Sequence, residues 1–325
     1  MHATRILQKI LLPVIARLDV RNVRTLFLAV DALFVGRRLT LMELARHFPG
    51  TERIKTPLKR LDRLLSNRSV QAIRTQCYQA ALRWMLHMPQ PVLIIDWSDA
   101  RPNRRWQLLR VAVVARGRAI TIYEEVHPLS KLGCPGVEAA FLKRLHSLLP
   151  DEARPILLAD AGFRVPWFEA VEALGWQFIA RVRHRSRVRF LGTHAPKRWI
   201  ASKNLYARAT ARAVSLGRVE LTESKRFLCR LVLVRRARRG RVHLTCRGER
   251  ARSGHSRKMA NREREPWLLA TSVSLTSRSA AQIVALYAKR MQIEQSFRDL
   301  KSHRYGASFE YSLTRDPRRL EILLL

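Results

Sequence analysis

The chain has 325 residues, enough for two or three domains with real cores, and its 47% hydrophobic content excludes a disordered polar chain. Lys and Arg outnumber Asp and Glu by 62 to 25, a net charge of +37 that makes a nucleic acid the expected partner and an anionic membrane surface the weaker one. Cys77, Cys134, Cys229 and Cys246 form no CxxC pair, which argues against a disulfide framework, and no apolar run reaches the ~18 residues of a membrane span, so a soluble protein of the cytoplasm is expected.

Residues 1–88 read as helices. Apolar residues recur at helical spacing in Arg5–Leu18, Val23–Phe34, Leu41–Phe48, Pro57–Leu65 and Val70–Met88, with breaks at Gly36, Pro49-Gly50 and Ser66-Asn67. Thr40 suits an N-cap and Pro57 a first turn. The two short helices around them resemble a helix-turn-helix. Lys59, Arg60 and Arg63 form a basic face beside Leu58, Leu61, Leu64 and Leu65, which suits a DNA groove. An ordinary helical bundle with a basic surface would show the same pattern.

From Pro91 the pattern becomes α/β. PVLIIDWSD reads as a buried strand ending in acid, and WQLLRVAVVARG and RAITIYEEVHP as a meander turned at Gly117. A helix over Val137–Leu149, the strand ARPILLAD, the helix VPWFEAVEALG and the strand WQFIARVR complete a β-β-β-α-β-α-β order, which is a mixed α/β layer fold. Residues 181–264 hold 26 Lys and Arg against 4 Glu. Short strand-like runs there (Val188–Leu191, Arg218–Leu221, Phe227–Leu233, Val242–Cys246) and a basic loop over Arg247–Arg264 suggest a β-rich insertion with a surface made for phosphates. His243, Cys246 and His255 lack a fourth ligand at metal spacing, which argues against a zinc site. The core resumes with the strand EPWLLATSV and a helix over Thr276–Ser302.

That helix carries YAKRMQIEQSFRDLK. At about 100° per residue, Tyr287, Arg290, Glu294 and Lys301 share one face, beside an apolar flank of Leu286, Ile293, Phe297 and Leu300. A solvated face with an i,i+4 Arg290–Glu294 pair would explain the helix taken alone. Asp96 and Asp160 change the weighing, because each is expected at the carboxyl end of a central strand, where α/β sheets bind ligands. Taken singly, such an Asp is more often a cap or turn residue. Two aspartates and a helical glutamate together offer the oxygen ligands that a pair of Mg²⁺ ions takes, about 3.5–4 Å apart, for in-line displacement at phosphorus. Gly162, after Asp160-Ala161, permits a tight turn beside such a centre. Asp99, in DWSD, competes with Asp96 for the ligand role, and Arg104-Arg105 lies nearby.

Asp96 in LIIDWSD, Asp160 in LLADAGFRVPW and the Tyr-x2-Arg-x3-Glu-x6-Lys pattern of Tyr287–Lys301 resemble the DDE transposases of bacterial insertion sequences, in the insertion-sequence-four group with the Tyr-Arg-Glu-Lys signature. The likeness runs along essentially the whole chain. It implies an RNase H-like core (residues 89–183 and 265–325), an N-terminal all-α domain that binds DNA ends (residues 1–88) and a basic insertion (residues 184–264). In this resemblance Asp96, Asp160 and Glu294 are the catalytic, metal-binding triad for two Mg²⁺ ions, with Mn²⁺ able to substitute. Tyr287, Arg290 and Lys301 hold DNA phosphates, and Trp267 stacks on a flipped base, although a core tryptophan would occupy the same place. The implied activity is cut-and-paste transposition by nicking, hairpin formation, hairpin resolution and strand transfer. The implied partners are double-stranded DNA, as inverted repeats and target, and a second copy in a synaptic homodimer. Members of this group continue beyond the point where this chain stops, so Leu320–Leu325 is expected as an exposed, aggregation-prone end, and a truncated relic that only binds DNA is the alternative function.

Overall fold

The computed structural model describes residues 2–50, 53–183, 186–192, 198–237, 249–254, 265–304 and 306–325. Five helices come first: α1 (His2–Ile15), α2 (Val20–Gly36), α3 (Leu41–Arg46), α4 (Lys55–Ser66) and α5 (Arg68–Met85). The strands β1 (Val92–Asp99), β2 (Trp106–Val114) and β3 (Ala119–Pro128) follow, then α6 (Pro135–Leu148), β4 (Ile156–Ala159), α7 (Val165–Ala173) and β5 (Gln177–Val182). Next come β6 (Arg187–Phe190), β7 (Ile200–Ala201), β8 (Val214–Leu221), β9 (Phe227–Val234) and β10 (Trp267–Thr271). The last elements are α8 (Ala280–Ala288), α9 (Met291–Lys301) and α10 (Pro317–Leu324). The chain is a mixed α/β protein whose β-β-β-α-β-α-β order is the expected one and is consistent with an RNase H-like core. It divides into two compact units, residues 1–155 with 291–325, and residues 156–290.

In the first unit the helices are set by capping and by one apolar stripe each. Asp19 accepts from Arg21 N, Thr40 from Glu43 N at 3.3 Å, as expected, and Asn67 from Val70 N at 3.0 Å. Helix α4 buries Pro57, Leu61, Leu64 and Leu65, most of the stripe visible in its sequence. Strands β1, β2 and β3 form the expected antiparallel meander, and Gly117 makes the β2–β3 turn with φ +78°. Helix α9 packs on β1 and β3, and α10 packs on α4, α5 and β3. The exposed end expected over Leu320–Leu325 is reduced to Leu325: Leu320, Ile322 and Leu323 are buried, because α10 turns its apolar side onto those three elements.

In the second unit β4 and β5 are parallel, joined by α7, and the sheet then runs antiparallel through β10, β9, β8, β6 and β7. The strands of the expected insertion therefore extend the sheet beyond β10. Aromatic packing fills the layer under α7, with Phe168 stacked on Phe178 at 4.5 Å and both beside Phe227. The strand expected at Val242–Cys246, most of the Arg247–Arg264 loop, and His243, Cys246 and His255 lie outside the described residues.

Two expectations about the site-bearing elements are corrected. The single helix over Thr276–Ser302 is a 3₁₀ turn at Val273–Ser277 followed by two helices, α8 and α9. The backbone N–H groups of Lys289 and Arg290 bond back to Leu286 O and Tyr287 O, so the chain tightens into i→i+3 bonding before α9 starts. Tyr287 therefore lies on α8, Arg290 in the turn after it, and Glu294 and Lys301 on α9, not on one continuous helix. Asp96 is likewise not strand-terminal. Register pairing continues from Asp96↔Arg110 to Asp99↔Gln107, and this carries β1 three residues past it.

Candidate functional site

In the first unit, Asp96 lies in mid-β1 and is half-buried, with one carboxylate oxygen accepting from Trp97 N at 2.9 Å. Glu294 is in the first turn of α9, also half-buried, where an acid complements the positive end of the helix dipole. The helix that bears Glu294 packs on the strand that bears Asp96. Its burial of Ile293, Phe297 and Leu300 fixes that seating, as the apolar flank foretold.

Lys301 ends the same helix and donates from Nζ to Ser98 Oγ at 2.6 Å. Ser98 stands two residues after Asp96, on the same face of β1. Burial pulls the Lys301 ammonium below its usual pKa, against the opposing pull of Asp99, Glu310 and Asp96, while Arg110 adds to the lowering. Asp96 and Lys301 thus lie in one electrostatic neighbourhood. Asp99, the first of those pulls on Lys301, also accepts from Gln107 Nε2 at 2.8 Å and pairs with Arg104 at 3.4 Å. Arg104 has φ +57°, so Asp99 steadies a strained turn.

Side chains of α6 meet the opposite face of the meander. Trp97 Nε1 donates to the buried Glu138 at 3.0 Å, and the Trp97 ring meets His127 edge-on at 5.6 Å. Sequence reasoning missed the charged ladder on the Asp96 face, where Arg110 and Glu124 are the cross-strand neighbours. Its signal was available as one arginine inside the apolar run QLLRVAVV, opposite an acid in TIYEEV.

In the second unit, Asp160 follows β4 directly, as expected, and its Oδ1 accepts from Gly162 N at 2.7 Å. A Cβ at Gly162 would stand 2.9 Å from that oxygen, so the glycine keeps room for the carboxylate. Tyr287 is buried, not presented to solvent: its ring packs edge-on against Trp267 at 5.0 Å. Trp267 is half-buried at the start of β10, with the exposed Arg236 guanidinium 5.1 Å from its ring centroid. Arg290 is half-buried in the turn after α8.

The basic face of α4 divides. Lys59 and Arg63 are exposed, whereas Arg60 donates to Thr25 Oγ1 at 3.1 Å and lies 5.2 Å from the Phe48 ring centroid. Arg60 holds α4 to α2 and has less freedom to reach outward. Asp96 and Glu294 are hard oxygen donors of the kind Mg²⁺ and Mn²⁺ accept, on two elements in contact, and so suit a divalent cation. Among the described residues no three or more His, Cys, Asp and Glu gather closely enough to be a complete ligand set. Among the same residues, no helix is long and apolar enough to cross a membrane.

No protein of curated function matches the chain. Among solved structures it is similar to the piggyBac transposase in a cryo-EM synaptic complex with hairpin DNA, at 10% identity and a TM-score of 0.47. That alignment covers 94% of this chain and 64% of the piggyBac chain, so this chain spans under two thirds of that protein's length. Residues 87–325 match the family model of the transposase DDE domain, a family that generally uses divalent metal ions. The match takes in well over half of the sequence, and the chain belongs to the DDE transposase family.

Proposed function

We propose that this protein is a cut-and-paste DNA transposase of the insertion-sequence-four type, similar to the transposase of transposon Ten, acting in the bacterial cytoplasm on the inverted repeats of its own element. The family match over residues 87–325 carries the reading. The seating of α9, with Glu294, on β1, with Asp96, supports it. Asp96, Asp160 and Glu294 are the carboxylates that would hold the metal. Two Mg²⁺ ions, or Mn²⁺ in their place, would activate an attacking water or 3′-hydroxyl and stabilise the leaving oxygen. Because every step is displacement at phosphorus, one set of carboxylates serves nicking, hairpin formation, hairpin resolution and strand transfer.

The protein's own side chains position the DNA. Lys301, held over β1 by Ser98, and Arg290 supply charged donors for phosphates near the scissile bond. Tyr287 supports Trp267 edge-on, so that the indole can take a flipped base in exchange for the Arg236 guanidinium. Lys59 and Arg63 on α4 contact the backbone of the element end, with Arg60 as their brace. Two copies would pair two ends in a synaptic homodimer.

The test is cleavage of a duplex carrying the element's end. Nicking is expected with Mg²⁺ or Mn²⁺, to stop with EDTA and return on adding the metal. Glu294→Ala should bind the duplex normally and leave nicking at background. Nicking that survives Glu294→Ala overturns the proposal, and salt-sensitive binding without any nicking by the unaltered chain would favour a protein that only binds DNA.

A further inference from the structure

We infer that Arg110 and Ser296 are positioning residues, a polar link that fixes how Glu294 on α9 stands to Asp96 on β1. The inference rests on the proposed metal role of those two carboxylates. Asp96, Arg110 and Glu124 are direct cross-strand partners on β1, β2 and β3, so their side chains leave the same face of the meander. Arg110 donates from Nε and Nη2 to Glu124 Oε2 at 2.8 and 2.7 Å, and from Nη1 to Ser296 Oγ at 3.0 Å. Its guanidinium also lies 4.8 Å from the Phe297 ring centroid.

These contacts hold the helix at two points. Ser296 and Phe297 are consecutive on α9, and Phe297 is three residues from Glu294, beside it on the helix surface. A planar guanidinium that is hydrogen-bonded to one and stacked on the other resists both sliding and rotation of α9 over the sheet. Sliding or rotation is what would move the Glu294 carboxylate relative to Asp96. The other end of the fork is anchored to β3, so the direction of Arg110 is set by the sheet.

The burial of this link argues that it does more than stabilise. Arg110 and Glu124 are 3% and 2% exposed. Desolvating two ions costs several kcal/mol each, and well-packed apolar residues of the same volume often serve stability as well or better. What apolar residues lack is direction. A buried ionic group that contacts three elements specifies one registry among them, and the registry here is that of the two carboxylate-bearing elements. The Arg110 charge, part of the Lys301 environment, also reaches the same neighbourhood.

The experiment is Mn²⁺ titration of the full chain followed by electron paramagnetic resonance, with the melting temperature of each variant measured beside it. Ser296→Ala removes one hydrogen bond and buries no new charge. It should melt close to the unaltered chain and bind Mn²⁺ about tenfold more weakly, the loss typical of removing an outer partner of a metal site. Ser296→Thr, which keeps the hydroxyl, should restore the affinity. Arg110→Lys keeps the charge but loses the fork, and should show the same fall in affinity with a lower melting temperature. Combining it with Ser296→Ala should weaken binding no further, because both changes break one link.

Mn²⁺ affinity unchanged in Ser296→Ala overturns the inference, whether or not Arg110→Lys folds. Asp96→Asn and Glu294→Gln separate the two failures. If the unaltered chain binds no Mn²⁺, or these variants bind it as the unaltered chain does, the metal reading itself falls. If they abolish binding while Ser296→Ala leaves it intact, only the positioning role does.

Discussion

Single side chains in this protein are often held by more partners than their sequence suggests. Glu125 on β3 receives Tyr123 Oη at 2.7 Å, His127 Nε2 at 2.8 Å and Arg144 Nη2 at 2.7 Å. Burial works against the charged carboxylate, but the hydrogen bonds from His127, Arg144 and Tyr123 outweigh it and bring the pKa from 4.5 down to about 2. A carboxylate with a depressed folded-state pKa contributes stability that is complete above 4.5 and lost as pH falls toward about 2. Glu125→Gln should therefore melt below the unaltered chain at pH 7, and the gap should narrow steadily in melts taken from pH 5 down to pH 3. A gap that stays constant would mean the carboxylate is not ionised against these partners. Tyr123 and His127 flank Glu125 in the sequence, but Arg144, which completes the cluster, comes from a helix 19 residues away. Asp96 and Asp160 both stand out in the sequence as acids after apolar runs, which are costly to place, but only Asp160 stands at the end of its strand. The end of β1 was not legible, because its length is decided by pairing with Gln107–Leu109 of β2 and not by its own residues.

At the scale of elements, apolar periodicity served well wherever one face is buried, as in the five N-terminal helices and the meander. It failed between α8 and α9. Lys289 and Arg290 carry no Gly or Pro to announce a break, and both helices keep apolar residues at spacings a single helix would also allow. The break assigns Tyr287 a packing duty on Trp267 in addition to any duty toward DNA. Two substitutions separate these duties. Tyr287→Ala should cost about 3 kcal/mol in denaturant unfolding, as removal of a buried aromatic ring does. Tyr287→Phe should keep most of that stability, and a fall in its affinity for the element end would then report the hydroxyl alone. Equal stability of the Ala variant and the unaltered chain would show that the ring is not part of the core.

For the whole molecule, the charge of +37 means that DNA affinity should depend steeply on salt. Each phosphate neutralised contributes about 0.9 to the slope of log affinity against log salt on duplex DNA. Replacing Lys59 and Arg63 with Ala should lower that slope by about 2 in fluorescence anisotropy titrations at several salt concentrations. Arg60→Ala should instead act mainly on melting, through its contacts to Thr25 and Phe48. A slope untouched by the double change would remove α4 from the DNA surface.

Helix α10 also bears on how the N-terminal helices and the sheet came to be joined. Arg319 of α10 pairs with Asp62 of α4, and Glu321 receives Arg74 Nε of α5 on its backbone oxygen and β3 Val126 N on its carboxylate, at 3.2 and 3.0 Å. One short segment late in this sequence thus stitches together parts encoded well before it. Ribosomal synthesis delivers α4, α5 and β3 long before α10, so their mutual arrangement is completed only when the last of these residues emerges. The region that resembles a DNA-reading module is therefore made well before it can be finished.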